Sequence, residues 1–150
     1  MEKLTFRTIR PSDLETVSEI AKKADPFGWT IGNFQDAIRC GDWIHLALLG
    51  ETVIGYSVVK PVIDESELLE IAVSPQFQGK GYGKALLAHS MDHAKSKAIR
   101  LMRLEVRVSN TRAQNLYVKF GFEIDGRRKN YYRTAQGHED ALLMTSVLPR

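Results

Sequence analysis

One cysteine, Cys40, is all that 150 residues contain, so no disulfide can form within the chain. A reducing compartment suits such a chain, and a cytoplasmic setting is the expectation. Cys40 sits in Ala37-Ile38-Arg39-Cys40, which reads as a helix end and makes it a structural thiol rather than a nucleophile. No apolar run approaches the ~20 residues needed to span a bilayer. The opening Met1-Glu2-Lys3-Leu4 lacks the basic and then apolar layout of a secretion signal, so no membrane partner is expected. Repeats, low-complexity tracts and linker-like segments are missing as well, and one domain over residues 1–150 is the expected organisation.

An excess of charge of one sign is also lacking. The formal net charge of +3 is too mild to argue for nucleic acid. Arg127-Arg128-Lys129, followed by Tyr131 and Tyr132, is the one basic cluster with aromatic neighbours, and no direct nucleic-acid contact is expected from it. Four histidines are present, at 45, 89, 93 and 138. His89 and His93 have the i, i+4 spacing that places two metal ligands on one helical face. The Glu of an H-E-x-x-H motif is missing between them, and no cysteine lies near, so an exposed helix face is expected and no metal.

What is present has the alternating texture of a mixed α/β domain. Leu4–Ile9 reads as a strand. Ser12-x-x-Glu15 is a capping-box start for a helix through about Ala24, with Leu14, Val17, Ile20 and Ala21 as its apolar stripe. Ile31, Phe34, Ala37 and Ile38 mark a second helix by the same logic. Trp43–Leu49 and Thr52–Lys60 read as strands joined by a tight turn at Gly50-Glu51. A loop over Val62–Ser66 should precede the strand Glu67–Val73. Late strands are expected at Phe122–Arg128 and Ala141–Val147, on either side of a polar loop Arg133–Glu139.

The most informative stretch is Leu69–Lys84. An apolar strand ends at Ser74-Pro75, three glycines follow within five residues (Gly79, Gly81, Gly83), and a helical pattern then begins with Ala85, Leu86, Leu87, Met91 and Ala94. Glycines let backbone N–H groups converge without Cβ clashes, and the first helical turn adds unpaired donors and the positive end of its dipole. That is an anion site suited to phosphate or pyrophosphate. It is not a Walker loop, because Ala85 follows Lys84 where Ser or Thr is required. Nor is it a dinucleotide fingerprint, because position 86 is Leu. What remains is Gln78-x-x-Gly81-x-Gly83 between a strand and a helix.

Downstream, Met102–Val108 alternates charged and apolar residues as a two-faced strand should. Ser109-Asn110-Thr111 offers a cap for a short helix that leads into Phe120-Gly121-Phe122. Taken together, Gln78-x-x-Gly81-x-Gly83 and Asn110-x-x-Ala113-x-x-Leu116-Tyr117-x-x-x-Gly121-Phe122 resemble the two halves of the acyl-CoA core of the GNAT acetyltransferase superfamily. The resemblance covers residues 67–122 closely and the flanks more loosely.

It implies a GNAT acyl-CoA N-acyltransferase fold, α/β in class, with a mostly antiparallel central sheet flanked by helices and one parallel strand pair that splays apart. The co-substrate it implies is acetyl-CoA, whose pantetheine would run along Ile71, Ala72 and Val73. The pyrophosphate would rest on Gly79, Lys80, Gly81, Tyr82, Gly83 and Lys84, and Asn110 would cap its helix and reach the cofactor. The amine would attack the thioester directly. Glu105 matches the general base of one branch of the family and stands ahead of Glu67 and Glu70. On residues alone, Glu105 would otherwise be a surface carboxylate paired with Arg103 or Arg107. Tyr117 resembles the proton donor to the departing thiolate.

The C-terminal segments Arg128-Lys129-Asn130-Tyr131-Tyr132 and Gly137-x-Glu139-Asp140-Ala141 are similar to the tail of RimI-type ribosomal-protein-alanine N-acetyltransferases. Pro26-Phe27-Gly28-Trp29 is similar to that family's Trp-containing segment but carries an extra glycine, Gly28. The implied acceptor is the N-terminal α-amine of a small-subunit ribosomal protein, with Tyr131, Glu139 and Asp140 as acceptor-side candidates and a monomer or weak dimer as the working form. Two alternatives stand beside it, a small-amine or lysine acetyltransferase and a non-catalytic acyl-CoA-binding module.

Overall fold

The computed structural model describes residues 3–149; the N-terminal reading that rested on Met1 and Glu2 lies partly outside the described residues. Seven strands and four α-helices follow one another as β1 (Leu4–Thr8), α1 (Leu14–Ala24), α2 (Ile31–Arg39), β2 (Trp43–Leu49), β3 (Thr52–Val62), β4 (Glu65–Val73), α3 (Tyr82–Ser96), β5 (Leu101–Arg107), α4 (Thr111–Lys119), β6 (Glu123–Thr134) and β7 (Gly137–Val147). Hydrogen bonding orders the strands β1-β2-β3-β4-β5-β7-β6 in one mostly antiparallel sheet. The exception is the parallel ladder of β4 and β5, which pairs Glu65–Leu68 with Leu101–Leu104 and ends there. This is the expected GNAT arrangement. No helix among the described residues is long and apolar enough to cross a membrane.

The chain gathers into two compact units. One comprises residues 1–60 and 69–90, the other 61–68 and 91–150. In the first unit β2 is buried on both faces, as its apolar run, interrupted only by His45, demands. Ile44, Leu46 and Leu48 join Val17, Ile20, Ala21, Phe34 and Ala37 of α1 and α2 in one cluster, while Ala47 and Leu49 pack with Ile54 and Leu86 in a second. Phe34 meets Trp29 and Tyr56 edge-on, each 5.1 Å away, and truncating so enclosed a ring typically costs about 3–5 kcal/mol. Gly55 lets β3 approach β4 closely. A Cβ there would sit 2.6 Å from the Ala72 carbonyl oxygen.

The second unit draws its core from Leu68, Met91, Ala94, Ile99, Met102, Leu104, Val106, Phe122, Met144 and Leu148, all buried. Its strand β5 alternates strictly from Met102 onward, with Arg103, Glu105 and Arg107 on the face away from that core. The β6–β7 hairpin is longer than the sequence implies. Tyr132, Arg133 and Thr134 pair with Glu139, His138 and Gly137, so the polar loop expected over Arg133–Glu139 shrinks to a tight turn. The expected loop over Val62–Ser66 likewise reduces to Ile63-Asp64, with Ile63 in the left-handed region at φ 59°. Polar composition obscured the β6–β7 strand ends because a hairpin at the sheet's edge need not be apolar.

Two helix expectations also change. Ile31 and Ile38 are more than a third exposed, so Phe34 and Ala37 carry the buried stripe of α2. The capping box expected from Ser12 and Glu15 does not form. Asp13 does that work instead. Its carboxylate accepts the Arg10 N–H at 2.7 Å and two hydrogen bonds from the Arg7 guanidinium, at 2.8 and 3.0 Å.

The Arg7 hydrogen bonds hold the Asp13 carboxyl below the usual carboxylate range, with burial working in the opposite direction. A group whose folded pKa is depressed contributes stability that is complete above its unfolded value, near ~3.9, and lost as pH falls through the folded value. Asp13→Asn is expected to cost about 1–2 kcal/mol at pH 7 and progressively less as the pH is lowered past about 4. Urea melts at pH 7, 5 and 3 check this. An equal cost at every pH would remove Asp13 from the acid response.

Candidate active site

The expected site residues divide between the two units. Ile71, Ala72, Val73, the glycine loop and Glu70 lie in the first, and Glu67, Glu105, Asn110 and Tyr117 in the second.

In the first unit the strand β4 ends at Val73, and a short 3-10 turn at Pro75–Phe77 leads into the glycine loop. Gln78 ties the loop back to the strand. Its Nε2 donates to the Val73 carbonyl at 2.8 Å, which gives this motif residue a structural task. Gly79 and Gly81 both adopt left-handed φ, at 77° and 88°. A Cβ at Gly81 would meet nothing within 4 Å, so the glycine is there for its backbone conformation rather than for space. The Ala85 N–H is the first of the helix to reach a carbonyl, that of Gly81. The N–H groups of Tyr82, Gly83 and Lys84 therefore head the helix as open donors. Lys80 lies over the Phe77 ring, 6.0 Å from its centroid, and Lys84 is exposed. The side chains of Ile71 and Ala72 pack into the two opposite core clusters, so the edge they offer is backbone.

Glu70 is occupied within this unit. It accepts the Tyr56 hydroxyl at 3.0 Å, and burial, reinforced by that carboxylate, raises the phenol far above its ordinary pKa. The histidines also depart from expectation. His89 is half-buried rather than exposed. It stacks on Phe6 at 4.2 Å, and its Nε2 is 3.0 Å from Nδ1 of the buried His45. His93 is half-buried too, and burial lowers its pKa. No group of three or more metal-ligating side chains is found among the described residues.

In the second unit the charged face of β5 is fully engaged. Arg103 pairs with Glu65, and Arg107 pairs with Glu139 at 3.0 Å while its guanidinium covers the Tyr132 ring at 4.5 Å. Glu105 reaches across to β6. Its Oε1 lies 2.9 Å from Nε of Arg128. The nearby Glu105 carboxylate, followed by burial, raises the Tyr131 phenol. Arg128 in turn stacks over Tyr131 at 5.3 Å. Glu67 is the third residue of β4, not its first; it is half-buried and sits opposite Arg103 in the parallel ladder.

Tyr117 is buried on α4, with its ring edge-on to Phe122 at 5.6 Å. Asn110 caps that helix as expected, its Oδ1 accepting the Ala113 N–H at 3.1 Å. The acceptor-side candidates are bound up with charges of their own. Bonds from Ser109 and then Arg107 lower the Glu139 carboxyl, while the Asn130 N–H and then Arg127 lower that of Asp140.

Sequence reasoning missed Arg128 as the partner of Glu105. In a regular strand, residues 128 and 131 point to opposite faces. A bulge between Arg128 and Tyr132 breaks that phase, and only the offset pairing Arg128↔Ala141 and Tyr132↔Glu139 reveals it. No local pattern announces such a break.

The sequence profile of the acetyltransferase (GNAT) family matches residues 14–122. A [ribosomal protein bS18]-alanine N-acetyltransferase of Salmonella typhimurium is 36% identical over 142 residues, which cover 93% of this chain and 95% of that one. Among solved structures, the ribosomal-protein-S18-alanine N-acetyltransferase of Escherichia coli superposes with a TM-score of 0.93 at 30% identity, covering 99% of this chain and 96% of the other. Ard1 of Thermoplasma volcanium superposes with a TM-score of 0.88 at 28% identity, covering 98% and 99%. With an anion-ready glycine loop at the head of α3, a β4–β5 ladder that stops after four pairs and matches along nearly its whole length, this chain belongs to the GNAT family and is an acetyltransferase that uses acetyl-CoA.

Proposed function

We propose that this enzyme acetylates the N-terminal α-amine of alanine on a small-subunit ribosomal protein, acting as one domain in the cytoplasm. The relatives named as bS18-alanine N-acetyltransferases support the acceptor class, since they align over more than nine-tenths of the chain. The observation that carries the reading is local. Arg128, from the tail segment similar to that of RimI-type enzymes, pairs with Glu105 at 2.9 Å, and its guanidinium lies over the ring of Tyr131 from the same segment.

In this reading the pyrophosphate of acetyl-CoA rests on the N–H groups of residues 79–84, and the backbone of Ile71–Val73 receives the pantetheine. The acceptor amine loses its proton to Glu105 and attacks the thioester carbon. The C–S bond breaks, and the departing thiolate takes a hydrogen bond and then a proton from Tyr117. Asn110 fixes the start of the helix that carries Tyr117. An α-amine with a pKa near ~8 is neutral hundreds of times more often at pH 7 than a lysine near ~10.4, so the base has modest work to do.

The loop assignment is tested by calorimetry with acetyl-CoA. Gly81→Ala places an L-residue at φ 88°, and Gly81→Asp adds a negative charge in the same place. Both should weaken binding, with Asp weaker than Ala by about tenfold or more, because charge now opposes the pyrophosphate. Equal affinities for the two folded variants would detach the loop from the phosphate.

The chemical roles are tested by turnover. Glu105→Gln should lower kcat about 10²–10⁴-fold. Tyr117→Phe should lower kcat with little change in acetyl-CoA affinity. Full activity of Glu105→Gln together with an inactive Glu67→Gln would move the base to β4.

For the acceptor, an Ala-starting ribosomal peptide should outcompete both its Nα-blocked lysine-containing twin and spermidine, as read by mass spectrometry of the products. Preference for either competitor would favour the small-amine or lysine reading. No transfer to any of them, with acetyl-CoA still bound, would favour a non-catalytic module.

A further inference from the structure

The offset in the β6–β7 hairpin has a single anchor. Between Arg128↔Ala141 and Tyr132↔Glu139, three residues of β6 (Lys129, Asn130 and Tyr131) face one residue of β7, Asp140. Asn130 takes a left-handed conformation, with φ 53°. The carboxylate of Asp140 accepts the Asn130 N–H at 2.9 Å with Oδ1 and pairs through Oδ2 with Nε of Arg127 at 2.6 Å. Its main-chain oxygen receives the Val108 N–H at 3.0 Å, which ties it to the end of β5.

A bulge of this kind re-aims side chains. Here it lets Arg128 reach the Glu105 carboxylate at 2.9 Å while Tyr131, three residues on, places its ring 5.3 Å beneath the same guanidinium. Without it, strand alternation would send one of the two to the opposite face. Asp140 bonds the backbone at the centre of the bulge, and its carboxylate is pinned on both oxygens, so it is the group that holds the offset in place.

We propose that Asp140 is a positioning residue for acetyl transfer, which fixes the 129–131 bulge through Asn130 and so aims Arg128, with Tyr131 packed against it, at Glu105. This rests on the reading of Glu105 as the base. Asp140 acts through its neighbours and needs no contact with the acceptor. The same residue explains what the Glu139-Asp140 pair of the tail does. Glu139 holds Arg107 on the β5 face, and Asp140 holds the strand opposite.

The test compares Asp140→Ala with Asp140→Asn, whose side-chain oxygen still accepts the Asn130 N–H. With an Ala-starting peptide, Asp140→Ala should lose about 10- to 100-fold in kcat/KM for the peptide, and the Kd for acetyl-CoA should stay unchanged. Asp140→Asn should recover most of the loss. In an Arg128→Ala/Tyr131→Phe background, Asp140→Ala should have no further effect, because the side chains it aims are gone. Should Asp140→Ala fail to fold, Asn130→Val, whose β-branched side chain resists the left-handed φ of 53°, disturbs the same bulge from β6 and should give the same pattern. The inference is overturned by wild-type kcat/KM in Asp140→Ala, by an undiminished effect in the double-variant background, or by an equal loss of acetyl-CoA affinity. A fully active Glu105→Gln would defeat the base assignment instead, while the coupling of Asp140 to Arg128 and Tyr131 would still decide the positioning role.

Discussion

Strict alternation along β5 imposes a demand that the rest of the second unit meets. Met102, Leu104 and Val106 fill the core, which leaves Arg103, Glu105 and Arg107 side by side on the other face. A row of charges on a half-buried sheet is costly unless each is compensated. Every one of the three finds its counter-charge on a different strand: Glu65 on β4, Arg128 on β6 and Glu139 on β7. Along the β6–β7 hairpin, Glu139 sits near the turn and Arg128 midway along β6. Glu105 differs from its neighbours in one respect. Its partner is an arginine that is more than half exposed and lies over the Tyr131 ring.

The first unit depends on a different device. Its loop needs two left-handed residues in close succession, at Gly79 and Gly81, and a side-chain tether from Gln78 to the end of β4. The loop is thus preorganised without burying a charge. The core beneath it is assembled on both faces of β2, and helix α3 starts on that core through Tyr82 and Leu86. A pyrophosphate binding there would meet backbone dipoles already held in place.

Much of this was legible in the residues. The glycine loop, the β2–β3 hairpin, the cap of α4 by Asn110 and the two-faced character of β5 each follow from patterns no longer than a strand or a turn. What escaped depends on contacts between distant segments. Asp13 displaced Ser12 as the organiser of the first helix entry because Arg7, on the neighbouring strand, holds it in place. His89 looked like a surface residue until His45 and Phe6 closed around it. Arg128 could not be matched to Glu105 from spacing, because a bulge shifts the phase of β6 and bulges leave little trace in composition.

That bulge has a second consequence. In the hydrogen-bonding order β6 comes last, and a terminal strand presents a row of free N–H and C=O groups on which another chain can extend the sheet. Here the row is interrupted at residues 129–131 and lined by Glu123, Asp125, Arg127, Lys129 and Arg133. Strand-upon-strand addition would have to desolvate those charges and match a register that breaks midway. The bulge that shifts the phase of β6 therefore also makes the outer margin of the sheet a poor template for another strand.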